Sequence, residues 1–168
     1  LPALHDLQVL TRHGGLPSSI VFMDVDHLKR INDQHGHPVG DAVLAGVVRH
    51  LDLHLRTQDK VFRYGGDEFL VALSGADLTT AHEVVSRVRL GLAAKFLITG
   101  PDGSAMQVTA SFGLALLDPV EDVSESIGRA DQALLLAKTA GRNRAVAWDA
   151  SVTTGTRWRL IGVSERTE

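Results

Sequence analysis

The chain contains no cysteine, so neither a disulfide nor a thiolate metal site can form, which suits a reducing compartment such as the cytoplasm. No apolar run approaches the roughly 18 residues that a membrane-spanning helix needs, and no signal-peptide pattern opens the sequence. Long basic blocks are missing too, and the formal net charge is −3. A nucleic-acid binder that relies on neutralising phosphates is normally more basic. There is no GxSxG elbow, Walker A motif, GxGxxG loop or HExxH helix, which disfavours the enzyme classes built on those devices. Internal repeats and low-complexity stretches are also lacking.

What remains is an ordinary globular composition, 44% hydrophobic and 22% charged over 168 residues. That length suits one domain, able to bury roughly 68–70% of its unfolded surface without staples. The chain opens on Leu1 rather than methionine and is expected to be cut from something longer.

Periodicity divides the chain into alternating elements. Leu4, Leu7, Val9 and Leu10 form a partial helical stripe ended by Gly14 and Gly15. Ile20–Met23 reads as a buried strand running into Asp24, and a helix follows from Asp26 to about Gly36. After Pro38, apolar residues from Val39 to Leu55 keep amphipathic helical spacing. Val61–Leu73 reads as a hairpin whose two-residue loop, Gly65-Gly66, suits a turn of positive φ. A helix is expected over Asp77–Phe96, a turn at Pro101-Asp102-Gly103, and a strand over Met106–Leu116 with a bulge at Gly113. Val123–Lys138 reads as a helix closed by Gly141, and Ala145–Trp148 as a last short strand. This alternation favours a sheet covered by helices.

The acidic residues raise the first chemical question. A two-residue loop would oppose Tyr64 to Asp67, Arg63 to Glu68 and Phe62 to Phe69, placing Asp67 on a largely apolar face that demands a partner. Should the first strand lie beside the hairpin, Asp24 and Asp67 converge, and two hard oxygen ligands suit Mg²⁺ completed by water and phosphate. The competing reading has Asp24 and Asp26 capping the next helix and Glu68 pairing with Arg63. The eight histidines, including His50 and His54 at i, i+4, fit solvent-exposed or capping roles better than zinc binding.

The run Arg63-Tyr64-Gly65-Gly66-Asp67-Glu68-Phe69 resembles the signature of the GGDEF family of diguanylate cyclases. Three further segments resemble the family in the right order: Asp24-Val25-Asp26-His27-Leu28-Lys29-Arg30-Ile31-Asn32-Asp33 with Gly40-Asp41, then Ser111-Phe112-Gly113, then Ala130-Asp131 through Lys138 and Gly141-Arg142-Asn143. The resemblance spans residues 1 to about 148. It implies a catalytic domain over residues 1–149 and a C-terminal tail over 150–168. The implied fold is α+β, with a central, mostly antiparallel sheet flanked by helices, palm-like as in nucleotidyl cyclases. The implied reaction condenses two GTP into cyclic di-GMP and two pyrophosphate at a homodimer interface.

The resemblance also assigns residues. Asp24 and Asp67, with the Val25 carbonyl, would hold Mg²⁺ or Mn²⁺, two ions per active site. Asn32 and Asp41 would recognise guanine, while Lys138 and Arg142 would neutralise phosphates, with Lys29 nearby. Gly65 and Gly66 would let backbone approach the phosphates, and Glu68 would assist the metal or the 3′-hydroxyl. Taken singly, Lys138 and Arg142 also read as cations that complement a helix C-terminus. Arg56-Thr57-Gln58-Asp59 resembles the family's RxxD inhibitory site for the product cyclic di-GMP, with Arg87 as a second contact; an i, i+3 surface ion pair is the competing account. An upstream sensory domain is implied, and neither a nucleic-acid partner nor membrane insertion of this domain. The family's DxLTGLxNR segment would precede Leu1, and Leu28 and Leu135 stand where phenylalanine and tyrosine are usual. A degenerate domain that senses GTP or cyclic di-GMP without making it is the main alternative.

Overall fold

A computed structural model describes residues 2–95, 97–99, 103 and 105–148. Five strands form the main sheet in the order β2-β3-β1-β6-β7. These are β1 (Ser19–Val25), β2 (Lys60–Arg63), β3 (Glu68–Leu73), β6 (Ala110–Leu116) and β7 (Ala145–Ala147). Only the β6–β7 pair is parallel. A separate two-stranded ribbon joins β4 (Leu97–Thr99) to β5 (Ala105–Gln107).

Strand β1 lies at the centre and is buried at all seven positions, which explains why it reads as a continuous apolar run and not an alternating one. Val21, Met23 and Val25 face a core built with α2 (Leu28–His35), α3 (His37–His54) and α4 (Leu78–Lys95). Ile20 and Phe22 face the other core, built with α1 (Pro2–Gly14) and α5 (Val123–Thr139). The sheet is thus covered on both sides, the α+β arrangement expected from the resemblance. Asp122 caps α5 by accepting from the Ser124 N–H at 2.8 Å, and Asp77 accepts from the Thr80 N–H at 2.8 Å at the start of α4.

The hairpin corrects the expected register by one residue. Arg63 pairs with Phe69 and Phe62 with Leu70, not Phe62 with Phe69. The N–H groups of Tyr64 and Gly65 both donate to the Glu68 carbonyl, at 2.9 and 3.3 Å, so the loop is Gly65-Gly66-Asp67. Asp67 therefore sits in the turn and not on a strand face. A slip of one residue exchanges faces. Phe62 accordingly packs in the α1/α5 core while Phe69 belongs to the other. Neither Gly65 nor Gly66 has positive φ, against expectation. The Glu68 carboxylate folds over Gly65, 2.8 Å from where a Cβ would stand, so a side chain there would have to turn that carboxylate away.

The expected strand from Met106 to Leu116 is broken at Val108-Thr109 into β5 and β6. Gly113 forms no bulge: it pairs with Phe22 in unbroken register. Its lack of a side chain lets α5 press against the sheet, since a Cβ there would lie 2.0 Å from the Ala130 carbonyl oxygen and 2.2 Å from the Leu134 nitrogen. Of the expected turn Pro101-Asp102-Gly103, the first two residues lie outside the described set, as does the tail from residue 149.

His50 and His54 serve the α3–α4 seam. The His50 Nε2–H donates to the Val88 carbonyl at 3.0 Å, the His54 Nδ1–H donates to the His50 carbonyl at 2.8 Å, and the rings lie 4.3 Å apart. Burial, and the neighbouring His54, push the His50 pKa below its usual 6.5. The folded state therefore binds this proton less readily than the unfolded state, so this contribution to stability is complete above pH 6.5 and is lost as the pH falls below it. Chemical denaturation of the wild type and of His50→Gln at about pH 7.5 and about pH 5.5 is expected to show the larger acid loss in the wild type.

Candidate active site

The end of β1 gathers residues from four parts of the chain. Asp24 lies at the end of β1, opposite Glu68 of β3 and Ser111 of β6. The Val25 N–H donates to the Asp67 carbonyl at 3.2 Å, which ties the hairpin turn to β1 and turns its aspartate toward Asp24. The last turn of α5 brings in Lys138, whose ammonium forms a direct ion pair with the Asp24 carboxylate. Around them opens a cleft of about 600 Å³, lined among others by Val25, Lys29, Asp67, Lys138 and Arg142.

Electrostatics single out Asp24. Burial is the first cause that raises its pKa, from 3.8 to about 6. Lys138 opposes that shift, while the facing Asp67 carboxyl adds to it. Two like charges crowded at the end of a buried strand attract a cation. Among the described residues no cluster of three or more His, Cys, Asp or Glu side chains could hold a metal. The two carboxylates that do meet, Asp24 and Asp67, are hard oxygen donors of the kind that suit Mg²⁺, which usually takes only one or two protein carboxylates and keeps water and phosphate as its other ligands. The Lys138 ammonium marks where positive charge is accepted.

The end of α5 explains how Arg142 reaches the cleft. The Arg142 N–H donates to Ala137 O at 3.0 Å and the Gly141 N–H to Lys138 O at 3.3 Å, a Schellman closure with Gly141 at φ 122°. Arg142 and Asn143 then follow in the left-handed region, at φ 61° and 45°. Arg89 of α4 holds this loop by donating to the Asn143 carbonyl at 3.2 Å.

Asp26, which the sequence offered only as a candidate cap of the next helix, has another place. It does not cap α2, whose N-cap is His27 with no side-chain bond. Its buried carboxylate accepts from the hydroxyls of Thr109 and Ser111, both at 2.7 Å, and from the Asn143 N–H at 3.0 Å. The signal was present, since Ser111 and Asn143 belong to the family-like segments; Asp26 is what those segments meet.

Other expected site residues lie elsewhere. Asn32 is packed against Gly40, with its Oδ1 buried and without a hydrogen-bond partner. Asp41 is exposed and lines a neighbouring pocket of about 640 Å³ with Leu44, Asp59, Arg63 and Phe69. Arg63 does not pair with Glu68 but donates to the carbonyls of Gly65 and Gly66, at 3.3 and 2.8 Å. Leu28 is buried in the core, whereas Leu135 is exposed.

Asp59 is fully engaged within the protein. Its Oδ2 accepts from the Arg56 N–H at 2.9 Å and Nε–H at 3.4 Å, and its Oδ1 from Arg56 Nη2 at 3.3 Å and the Ser74 N–H at 3.2 Å. Those four donors match the acceptor capacity of a carboxylate. The Arg56 side chain is half exposed, and Arg87 is exposed on α4.

A helix-covered, mostly antiparallel sheet with carboxylates at the end of its central strand defines the palm-like class of nucleotidyl cyclase domains. Residues 4–144 match the family model described as "Diguanylate cyclase, GGDEF domain", and the chain belongs to that GGDEF family. It is 39% identical over 142 residues to diguanylate cyclase DosC of Escherichia coli K12, covering 82% of this chain and 30% of that protein. It is 37% identical over 139 residues to diguanylate cyclase DgcP of Pseudomonas aeruginosa, covering 82% of this chain and 20% of that protein. The chain thus spans a third or less of these relatives' length. Among solved structures, the GGDEF domain of DgcB from Caulobacter crescentus, in complex with c-di-GMP, superposes with a TM-score of 0.82 at 26% identity, covering 87% of this chain and 86% of that one. SiaD of Pseudomonas aeruginosa, in complex with its activator SiaC, gives 0.82 at 35% identity, covering 88% and 56%.

Proposed function

We propose that this domain makes cyclic di-GMP from GTP as one half of a homodimeric enzyme. The observation that carries the reading is the meeting of Asp24, Asp67, Lys138 and Arg142 in one cleft. In each of two steps the 3′-oxygen of one GTP bonds to the α-phosphorus of the other, the bond to pyrophosphate breaks, and the hydroxyl proton is lost. Each domain presents one GTP, so two facing domains close the ring.

Asp24 and Asp67, with the Val25 carbonyl, hold Mg²⁺ or Mn²⁺, two ions per site. When bound, these ions polarise the α-phosphate and neutralise developing charge. Lys138 and Arg142 take the terminal phosphates, and Lys29 adds charge at the cleft wall. Glu68, folded over Gly65, would assist the metal or the 3′-hydroxyl. Asn32 supports the guanine assignment, since its buried, unpartnered Oδ1 suits a base N–H and Asp41 provides a second acceptor. The lack of a side chain on Gly66, with open space around it, leaves room for phosphate.

The product brake at the RxxD site falls to Arg56 and Arg87, whose guanidinium groups suit phosphate and the guanine face. Asp59 acts chiefly by fixing Arg56 and the Ser74 backbone, and binds product only where Arg56 lets go of it. Among the described residues no helix is long and apolar enough to cross a membrane.

The testing experiment incubates the chain with GTP and Mg²⁺ and follows cyclic di-GMP and pyrophosphate. Product is expected from GTP and not from ATP, with no turnover in a forced monomer. Added cyclic di-GMP is expected to slow the reaction, and Arg56→Ala to relieve that inhibition. No product under any dimerising condition would leave the domain a nucleotide sensor.

A further inference from the structure

Lys138 carries more than the phosphate role given above. Its ammonium is already committed: it is paired to Asp24, the deeper of the two carboxylates expected to hold metal. The Asp24 side chain is 8% exposed and that of Lys138 30%, so the contact reaches in from the rim of the cleft. Lys29 and Arg142 also line the cleft, yet the ion pair with Asp24 is made by Lys138. We propose that Lys138 is a placeholder cation, which occupies Asp24 until nucleotide arrives and then transfers to its phosphates. The inference rests on the reading of Asp24 and Asp67 as the metal-binding pair.

A cation held on the Asp24 carboxylate and an ammonium bonded to the same group are like charges on one acceptor, so one displaces the other. Without nucleotide, Lys138 has no phosphate to move to, and leaving Asp24 strands both charges in a partly desolvated place. A free divalent ion therefore meets a competitor built into the protein. With nucleotide present, the phosphates offer Lys138 a stronger partner and the competition ends. Metal and nucleotide then bind with positive coupling, which is reciprocal by linkage. The empty cleft stays closed to stray divalent ions, and the metal is admitted together with its substrate. If the pair served stability alone, its removal would weaken the fold and leave metal affinity where it was.

Mn²⁺ binding to the 168-residue chain, measured without nucleotide by the electron paramagnetic signal of the free ion, separates these accounts. Lys138→Met is expected to bind Mn²⁺ about tenfold more tightly than the wild type, within the usual range of coupling between sites. Lys138→Arg, which keeps the charge, is expected to stay near the wild type, and Lys138→Gln provides a second neutral variant. A non-hydrolysable GTP analogue is expected to tighten Mn²⁺ binding to the wild type by about tenfold or more, and to add much less in Lys138→Met. Equal or weaker Mn²⁺ binding by both neutral variants overturns the placeholder. A Mn²⁺ affinity unchanged by Asp24→Asn and Asp67→Asn is a different result: it overturns the metal assignment itself and the inference with it.

Discussion

Replacement of Asp67 by asparagine is expected to abolish cyclic di-GMP formation while leaving the fold intact. The substitution keeps size and shape, removes one of two facing carboxylates, and touches neither the Val25–Asp67 backbone bond nor the core. A metal that stabilises developing charge at phosphorus contributes several kcal/mol, and losing one of its two carboxylates should cost more than about a thousandfold in turnover, on the order of 4 kcal/mol. Stability should change by no more than about 0.5 kcal/mol, because the site lies in a half-buried turn. Asp26→Asn provides the contrast. That carboxylate is tied to Thr109, Ser111 and the Asn143 N–H, so an amide there leaves buried donors without acceptors and lowers the melting temperature first. Retention of more than about a tenth of wild-type turnover by Asp67→Asn, at saturating Mg²⁺, would remove Asp67 from the metal site.

The second large effect falls far from any ligand. Gly113→Ala is expected to destabilise the domain by about 3 kcal/mol, at the upper end of ordinary overpacking. The new methyl would meet the backbone of α5 at Ala130 and Leu134, and backbone cannot step aside as a flexible side chain can. Only a shift of the whole helix relieves the clash. The facing α5 positions Ala130, Ala133 and Ala137 are already small and fully buried, which leaves no slack for a compensating adjustment. Thermal unfolding should fall by roughly 6–12 °C for a domain of this size. Because the last turn of α5 carries Lys138, nucleotide affinity should fall with it. A variant of unchanged melting temperature would show that helix and sheet do not meet this closely.

These cases show what sequence reasoning reaches. Burial of β1 on both faces and the amphipathic helices were legible because each depends on a period that one short window displays. The meeting of Asp24 and Asp67 was legible only on the condition that β1 lies beside the hairpin, which is a tertiary fact. The hairpin register was missed by one residue: two adjacent glycines suggest a two-residue loop, and only the shared acceptor at the Glu68 carbonyl reveals a three-residue one. Gly113 suggested a bulge because strand glycines often mark one, yet a helix crossing above leaves the same letter in the sequence. Asp26 was read only as a candidate helix cap for a related reason. Its three partners lie 83 to 117 residues away, and no spacing rule connects them. At Asp59 the i, i+3 ion pair with Arg56 was legible from the spacing, whereas the bond from the Ser74 N–H, 15 residues on, was not.

The left-handed pair Arg142-Asn143 has a last consequence. Asparagine tolerates that region, but Arg142 there raises the local energy by roughly 1–2 kcal/mol relative to a relaxed backbone. Asp26 and Arg89 hold the loop in that shape through Asn143, and folding settles the cost in advance. The Arg142 backbone is thus cocked before any nucleotide appears. An incoming phosphate has to order a side chain but not a loop, and so keeps more of its attraction for binding.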